Sequence, residues 1–176
     1  MAKTQPFEPE KLIVSVIYHD KYILERALEI LKKDFGDFDF ISEEFSFSEG
    51  YSSYYDDELG GEGFRRIYSF EALVNPELQA DIKIRTNEIE NGFSRKINLD
   101  PGLISDGRLL LPTTKRVGFR IPLKAGIYSD YTLFYARGAW HSFPWTYRDY
   151  KNEDVQKFLL KVRKKYLTQR KALLNG

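Results

Sequence analysis

KINLDPGLISDGRLLLPTTKRVGFRIPLKAGIYSDYTLFY, residues 96–135, reads as strands folded back on themselves. Ile97 and Leu99 alternate with Asn98 and Asp100, the period of two of a half-buried strand. Pro101-Gly102 has the residues of a tight turn. Strands are expected over 108–114, 118–123 and 127–135, with turns at Asp106-Gly107 and Lys124-Ala125-Gly126. Polar residues crowd the strand ends: Asn98, Asp100, Thr113, Thr114, Lys115, Arg120 and Asp130.

Upstream, LIVSVIY at 12–18 is nearly continuous apolar and β-branched, which suits a central strand buried on both faces. Asp20 can cap a helix over 21–35, and Gly36 stands where its C-terminal residue belongs. Phe38 and Phe40 alternate, as do Phe45 and Phe47, but the parity switches between the pairs, so a break is expected at Ser42-Glu43-Glu44. Residues 48–63 are expected to form a long acidic, Tyr- and Gly-rich loop. A third strand spans 64–70. Asn75-Pro76 opens a helix that ends near Asn91-Gly92.

The order strand, helix, strand, strand, helix, strand predicts an α+β fold with a ferredoxin-like split βαβ first half. An antiparallel β-meander extends it, and a C-terminal helix from about 153 to 173 closes it. A single domain over 1–176 is expected: 1–100 for the βαββαβ half, 101–150 for the meander and aromatic connector, 151–176 for the helix.

Composition narrows function by exclusion. The chain has no Cys, which removes disulfide scaffolds, thiolate zinc sites and thiol nucleophiles. Its net charge of +1 gives no global field to draw nucleic acid or a membrane surface. Charge is uneven locally: residues 34–62 hold ten acids and no Lys or Arg, while 151–176 hold eight basic residues and two acids. That pattern fits solvated faces, a pairing between subunits, or an acidic partner for the last helix. The apolar run at 12–18 is too short for a signal segment or a membrane span, so a cytoplasmic location is expected. No GxxxxGK[ST] phosphate loop, HExxH zinc motif or GxSxG elbow occurs.

Asp100 and Asp130 are the candidate catalytic residues. On neighbouring strands they could bind Mg²⁺ through oxygen, or act as acid and base in phosphoryl or hydrolytic chemistry. Each also has a plainer reading, Asp100 as an Asx turn and Asp130 as an exposed strand residue. Arg65 and Arg66, Lys83, Arg85 and Asn87, and Lys115 and Arg120 offer an anion pocket, or else pair with surface acids. The candidate ligand-binding set is Arg65, Lys83, Asn87, Lys115 and Arg120. The expected ligand is a small molecule bearing phosphate or carboxylate, with nucleotides among the candidates. The alternatives are a non-catalytic interaction or homo-oligomerisation module, and RNA binding through the sheet. The [KR]-G-[FY]-[GA]-F pattern of RNA-reading sheets is absent, so nucleic acid is not the expected partner.

Several short patterns occur together: Phe45-x-Phe47 with Tyr54-Tyr55, Ser69-Phe70-Glu71, Lys83-x-x-Thr86-Asn87-x-Ile89-Glu90 and Asn98-x-Asp100-Pro101-Gly102. Thr113-Thr114-Lys115, Arg120-Ile121, Gly126-Ile127-Tyr128, Thr132-Leu133 and Pro144-Trp145-Thr146-Tyr147-x-Asp149-Tyr150 follow. In these the chain resembles an uncharacterised bacterial domain-of-unknown-function family, whose members sometimes carry a "GTP-binding protein" label. The resemblance covers nearly the whole chain and implies little about activity. No guanine-reading NKxD motif accompanies it here. Relatives in that family carry His immediately before the Arg120 position, where this chain has Phe119.

Overall fold

The structure is a computed structural model that describes residues 3–175; residues 1, 2 and 176, the outer ends of the expected domain, lie outside the described residues. Strand β1 (Glu10–Tyr18) is buried along its whole length. It pairs antiparallel with β4 (Phe64–Val74) on one side and β5 (Ile97–Ile104) on the other. Its residues alternate between two cores. Leu12, Val14, Val16 and Tyr18 meet Leu24, Ala27 and Leu31 of helix α1 (Lys21–Phe35) and Ile82 and Ile89 of α4 (Gln79–Gly92). Ile13 faces the opposite core, with Val155, Leu159 and Val162 of helix α5 (Glu153–Leu174). This alternation explains why the 12–18 run is apolar at successive positions: a sheet covered on both faces needs apolar residues of both parities.

All neighbouring strands run antiparallel, in the order β2-β4-β1-β5-β6-β8-β7. Here β2 is Phe38–Ile41, β6 Arg108–Thr113, β7 Ile121–Pro122 and β8 Tyr128–Ala136. Strand β3 (Phe45–Ser46) joins β4, and β9 (Ala139–Ser142) joins β8. The first four long strands interleave: β4 lies between β1 and β2, and β1 lies between β4 and β5. Asp20 caps α1 by accepting from the Tyr22 and Ile23 amides, and Gly36 follows it at φ 94°.

Three expectations need correction. Pro101-Gly102 is not a turn, because β5 runs through both. Leu99 donates and accepts on the side of β5 away from β1, so by alternation Pro101 directs its missing N–H to that same side. There β6 pairs only with Leu103 and Ile104, and a proline costs little on an unpaired edge. Residues 48–63 are not a featureless loop, since α2 (Phe47–Gly50) and α3 (Asp56–Leu59) form single turns there, with Phe47 and Leu59 packed on Ile17. The strand expected over 118–123 shrinks to β7, because only Ile121 and Pro122 find partners on β8.

The sheet forks between β5 and β6. They pair at two positions and then diverge, with β6 continuing along β8. A Cβ on Gly102 would stand 2.8 Å from Leu111 Cδ2 and 3.2 Å from Leu109 Cδ1, so the absence of a side chain there lets β6 cross close to β5 at the start of the fork.

Candidate functional site

The fork opens into a cleft of about 350 Å³. Ser15 and Ile17 of β1, Arg65 of β4, and Asn98 and Asp100 of β5 contribute to its floor. Helix α4 contributes Lys83, Asn87, Glu90 and Asn91, whose spacing puts them on one helical face. The other arm of the fork contributes Leu111, Pro112, Thr113, Thr114 and Lys115, with Asp130 of β8. Phe47, Tyr54, Tyr55 and Glu58 come from the α2–α3 insertion, and Tyr147, Asp149 and Tyr150 from the connector before α5.

Six of the seven residues singled out from the sequence line this one cleft: Arg65, Lys83, Asn87, Asp100, Lys115 and Asp130. The seventh, Arg120, stands behind it. Its Nε donates to Asp130 Oδ2 at 2.8 Å, Nη1 to the Lys115 carbonyl at 2.7 Å and Nη2 to the Tyr147 hydroxyl at 2.6 Å. Arg66 and Arg85 point elsewhere. Arg66 lies on the opposite sheet face from Arg65 and pairs with Glu44, and Arg85 pairs with Asp34 and Glu88.

The unpaired edge of β5 organises the α4 wall. The Leu99 amide donates to Glu90 Oε1 at 2.6 Å, and Lys83 Nζ donates to the Leu99 carbonyl at 3.0 Å. Two helix side chains thus do for the edge what a neighbouring strand would do. Lys83 Nζ also reaches Asp100 Oδ1 at 3.1 Å, while Asn98 Nδ2 donates to Asp100 Oδ2 at 2.7 Å. Burial works to raise the Asp100 carboxyl, but Lys83, Asn98 and Arg65 outweigh it and hold the group below its ordinary value. Glu90 goes the other way: burial raises it against the pull of Lys83 and the Leu99 amide.

The two carboxylates differ in what they can offer. Asp130 is sealed, with Oδ2 on Arg120 and Oδ1 accepting from the Thr132 hydroxyl at 3.0 Å. It fixes Arg120 and through it the Lys115 turn. Asp100 keeps 41% of its side chain exposed, so its oxygens can take a ligand hydroxyl or an oxygen-liganded cation. Among the described residues no cluster of three or more His, Cys, Asp or Glu is placed to hold a metal ion.

Arg65 is the largest fully buried side chain, 1% exposed. Its Nε donates to Ser15 Oγ at 2.7 Å, Nη1 pairs with Asp149, and the guanidinium lies 4.7 Å from the centre of the Tyr150 ring. Burial raises the Tyr150 hydroxyl, with Arg65 opposing. That hydroxyl lies beside Ser15 yet completes no hydrogen bond of good geometry. Burial likewise raises Tyr55 and Tyr147.

Arg95 escaped sequence reasoning, and Glu90, Asp149 and Tyr150, though part of the recurring short patterns, were not among the candidate site residues. The polar positions 83, 87 and 90 recur at helical spacing, and that stripe was the available signal for Glu90. Nothing local marked Asp149 as a partner of Arg65, because the two are distant in sequence.

A family model described as Domain of unknown function (DUF4416) matches residues 8–166. The chain belongs to this family. The match includes every cleft residue named above, from Ser15 to Tyr150. No curated protein and no solved structure matches the chain. No helix among the described residues is long and apolar enough to cross a membrane.

Proposed function

We propose that the fork cleft binds a small ligand bearing a phosphate or carboxylate, with nucleotides among the candidates. The observation that supports this reading is convergence. Residues from three strands, one helix and the loop after β6, chosen by residue type, meet in one concavity whose volume lies at the lower end of the small-molecule range. Lys115 takes the anion, Arg65 of the floor and Lys83 of the α4 wall are each held by a carboxylate, and Asn87 offers a hydrogen-bonding amide. Asp100 accepts from ligand hydroxyls. A Mg²⁺ ion, if the ligand brings one, belongs at Asp100, since that cation is commonly held by one or two carboxylates plus substrate phosphates. Asp130 acts by positioning Arg120.

A thermal-shift screen of nucleotides, sugar phosphates and organic acids, with and without Mg²⁺, tests the reading. A ligand at 100 times its Kd stabilises the folded state by about 2.7 kcal/mol. For a chain of this size that raises Tm by roughly 5–10 °C. No shift across a broad panel sinks the proposal.

One observation favours a second reading, an interaction surface. Val117, Phe119, Ile121 and Leu123 are each 40–58% exposed along one edge, and Phe119 stacks on Trp145. Sedimentation of wild type against Phe119→Asp separates the two readings: an interaction module loses an oligomer, while a monomeric ligand binder is unchanged.

A further inference from the structure

On the reading that the cleft is a ligand site, we infer that its ligand is a polyhydroxylated small molecule carrying one anionic group. The class comprises sugar phosphomonoesters, free or within a nucleoside monophosphate, and sugar acids. The charges of the cleft carry this inference. Of its cations, Arg65 is paired with Asp149, Lys83 with Asp100, and Arg95 with Glu58 and Glu90. Arg120, behind the wall, is paired with Asp130. Among the described residues Lys115 is the cleft cation without a carboxylate partner. Its ammonium stands 5.7 Å from the centre of the Tyr54 ring, exposed at the mouth of the cleft. One uncommitted positive charge matches one anionic group. A triphosphate would bring several negative charges among five carboxylates, Glu58, Glu90, Asp100, Asp130 and Asp149. Four cations, Arg65, Lys83, Arg95 and Arg120, are paired with these five, Arg95 serving both Glu58 and Glu90, so little positive charge is left to offset the repulsion.

The rest of the lining is built for hydroxyls. Asn87 and Asn91 present amides from α4, and Thr114 a hydroxyl from the opposite arm. An amide both donates and accepts, which matches a sugar hydroxyl better than it matches an anion. Tyr150, 3% exposed and lining the cleft, has a hydroxyl that lies beside Ser15 without completing a hydrogen bond of good geometry. Buried polar groups are seldom left so, and a ligand hydroxyl reaching the floor would satisfy it. The Asp100 carboxylate beside it can accept from one or two vicinal hydroxyls.

Calorimetric titration of the whole chain tests this, using ribose 5-phosphate, AMP, glucuronate, ribose, inorganic phosphate and ATP as probes. At least one of the first three is expected to bind ten-fold or more tightly than ribose, phosphate or ATP, and the best of them identifies the source of the anion. Lys115→Gln, at an exposed position, should weaken that probe at least ten-fold without changing Tm. Tyr150→Phe should weaken it several-fold while keeping the ring that packs on Arg65. ATP binding as tightly as AMP, or Lys115→Gln binding like wild type, overturns the inference and leaves the site itself standing. Silence from all six probes, together with no hit in the wider thermal-shift panel, removes both.

Discussion

Lys83→Met is the perturbation that weighs most on this account, because Lys83 belongs both to the fold and to the cleft. Its ammonium is buried and serves the Leu99 carbonyl and Asp100. Methionine keeps the length and the apolar stem. Losing the donor leaves the edge carbonyl of β5 unsatisfied, which costs about 1–3 kcal/mol. The ion pair itself adds little, about 0–1 kcal/mol, since Asp100 is 41% exposed and keeps its hydrogen bond from Asn98. Relief from burying an ammonium offsets part of the loss, so the net is about 2 kcal/mol, or roughly 4–8 °C in Tm. Urea denaturation of wild type, Lys83→Met, Asp100→Asn and the double variant measures it. The cycle should return a coupling of about 0.5–1 kcal/mol.

The acid limb gives a second readout. The folded Asp100 carboxyl lies below its ordinary 3.8. A lowered carboxyl contributes stability that is present above its unfolded value and is lost as pH falls through the folded one. Lys83 is the strongest influence lowering it and burial opposes that influence, so in Lys83→Met this loss below about pH 4 should shrink or reverse. Equal stability within about 0.3 kcal/mol, with an unchanged acid limb, would refute the edge-capping argument.

Other substitutions probe the same frame. Arg120→Met removes one partner of a buried pair and strands Asp130, which should cost about 3–5 kcal/mol in urea. Glu90→Gln can still accept from Leu99 but cannot ionise. Glu90 is raised above its ordinary 4.5 in the folded state, so wild type loses stability as pH rises from there through the folded value; in Glu90→Gln that part of the decline, followed by melting between pH 4.5 and 8, should disappear. Gly102→Ala forces a Cβ to 2.8 Å from Leu111 Cδ2 and should destabilise by about 1–3 kcal/mol, and the double variant with Leu111→Ala should lose less in urea than the two single losses added together.

Much of the α+β architecture was legible in local pattern. Helix α1 announces itself through Asp20, the apolar face of Leu24, Ala27 and Leu31, and Gly36, all features within one segment. The two-sided burial of β1 follows from an apolar run with no polar face. The fork did not follow. Pro101-Gly102 carries turn chemistry, and only the sheet shows that β5 has no neighbour on the side where Pro101 lacks its N–H. Proline and glycine here serve an edge and a close crossing instead of a bend.

The candidate site was half legible for a related reason. Charged residues at strand ends could be chosen by type, but their pairing depends on partners far along the chain. Arg65 and Asp149, or Lys83 and Asp100, look like free groups until the fold brings them together. Sequence therefore indicated where polar groups concentrate without showing that most are already neutralised. That distinction is what singles out Lys115.

The most direct test of the central claim, that the fork cleft is a ligand site, is amide NMR mapping with ribose 5-phosphate as the probe. Shifts are expected to be confined to residues 15–17, Phe47, 54–58, Arg65, 83–95, 98–100, 111–115, Asp130 and 147–150, which bound the cleft. Shifts scattered over the surface, or concentrated along α5 and the 117–123 edge, would contradict it.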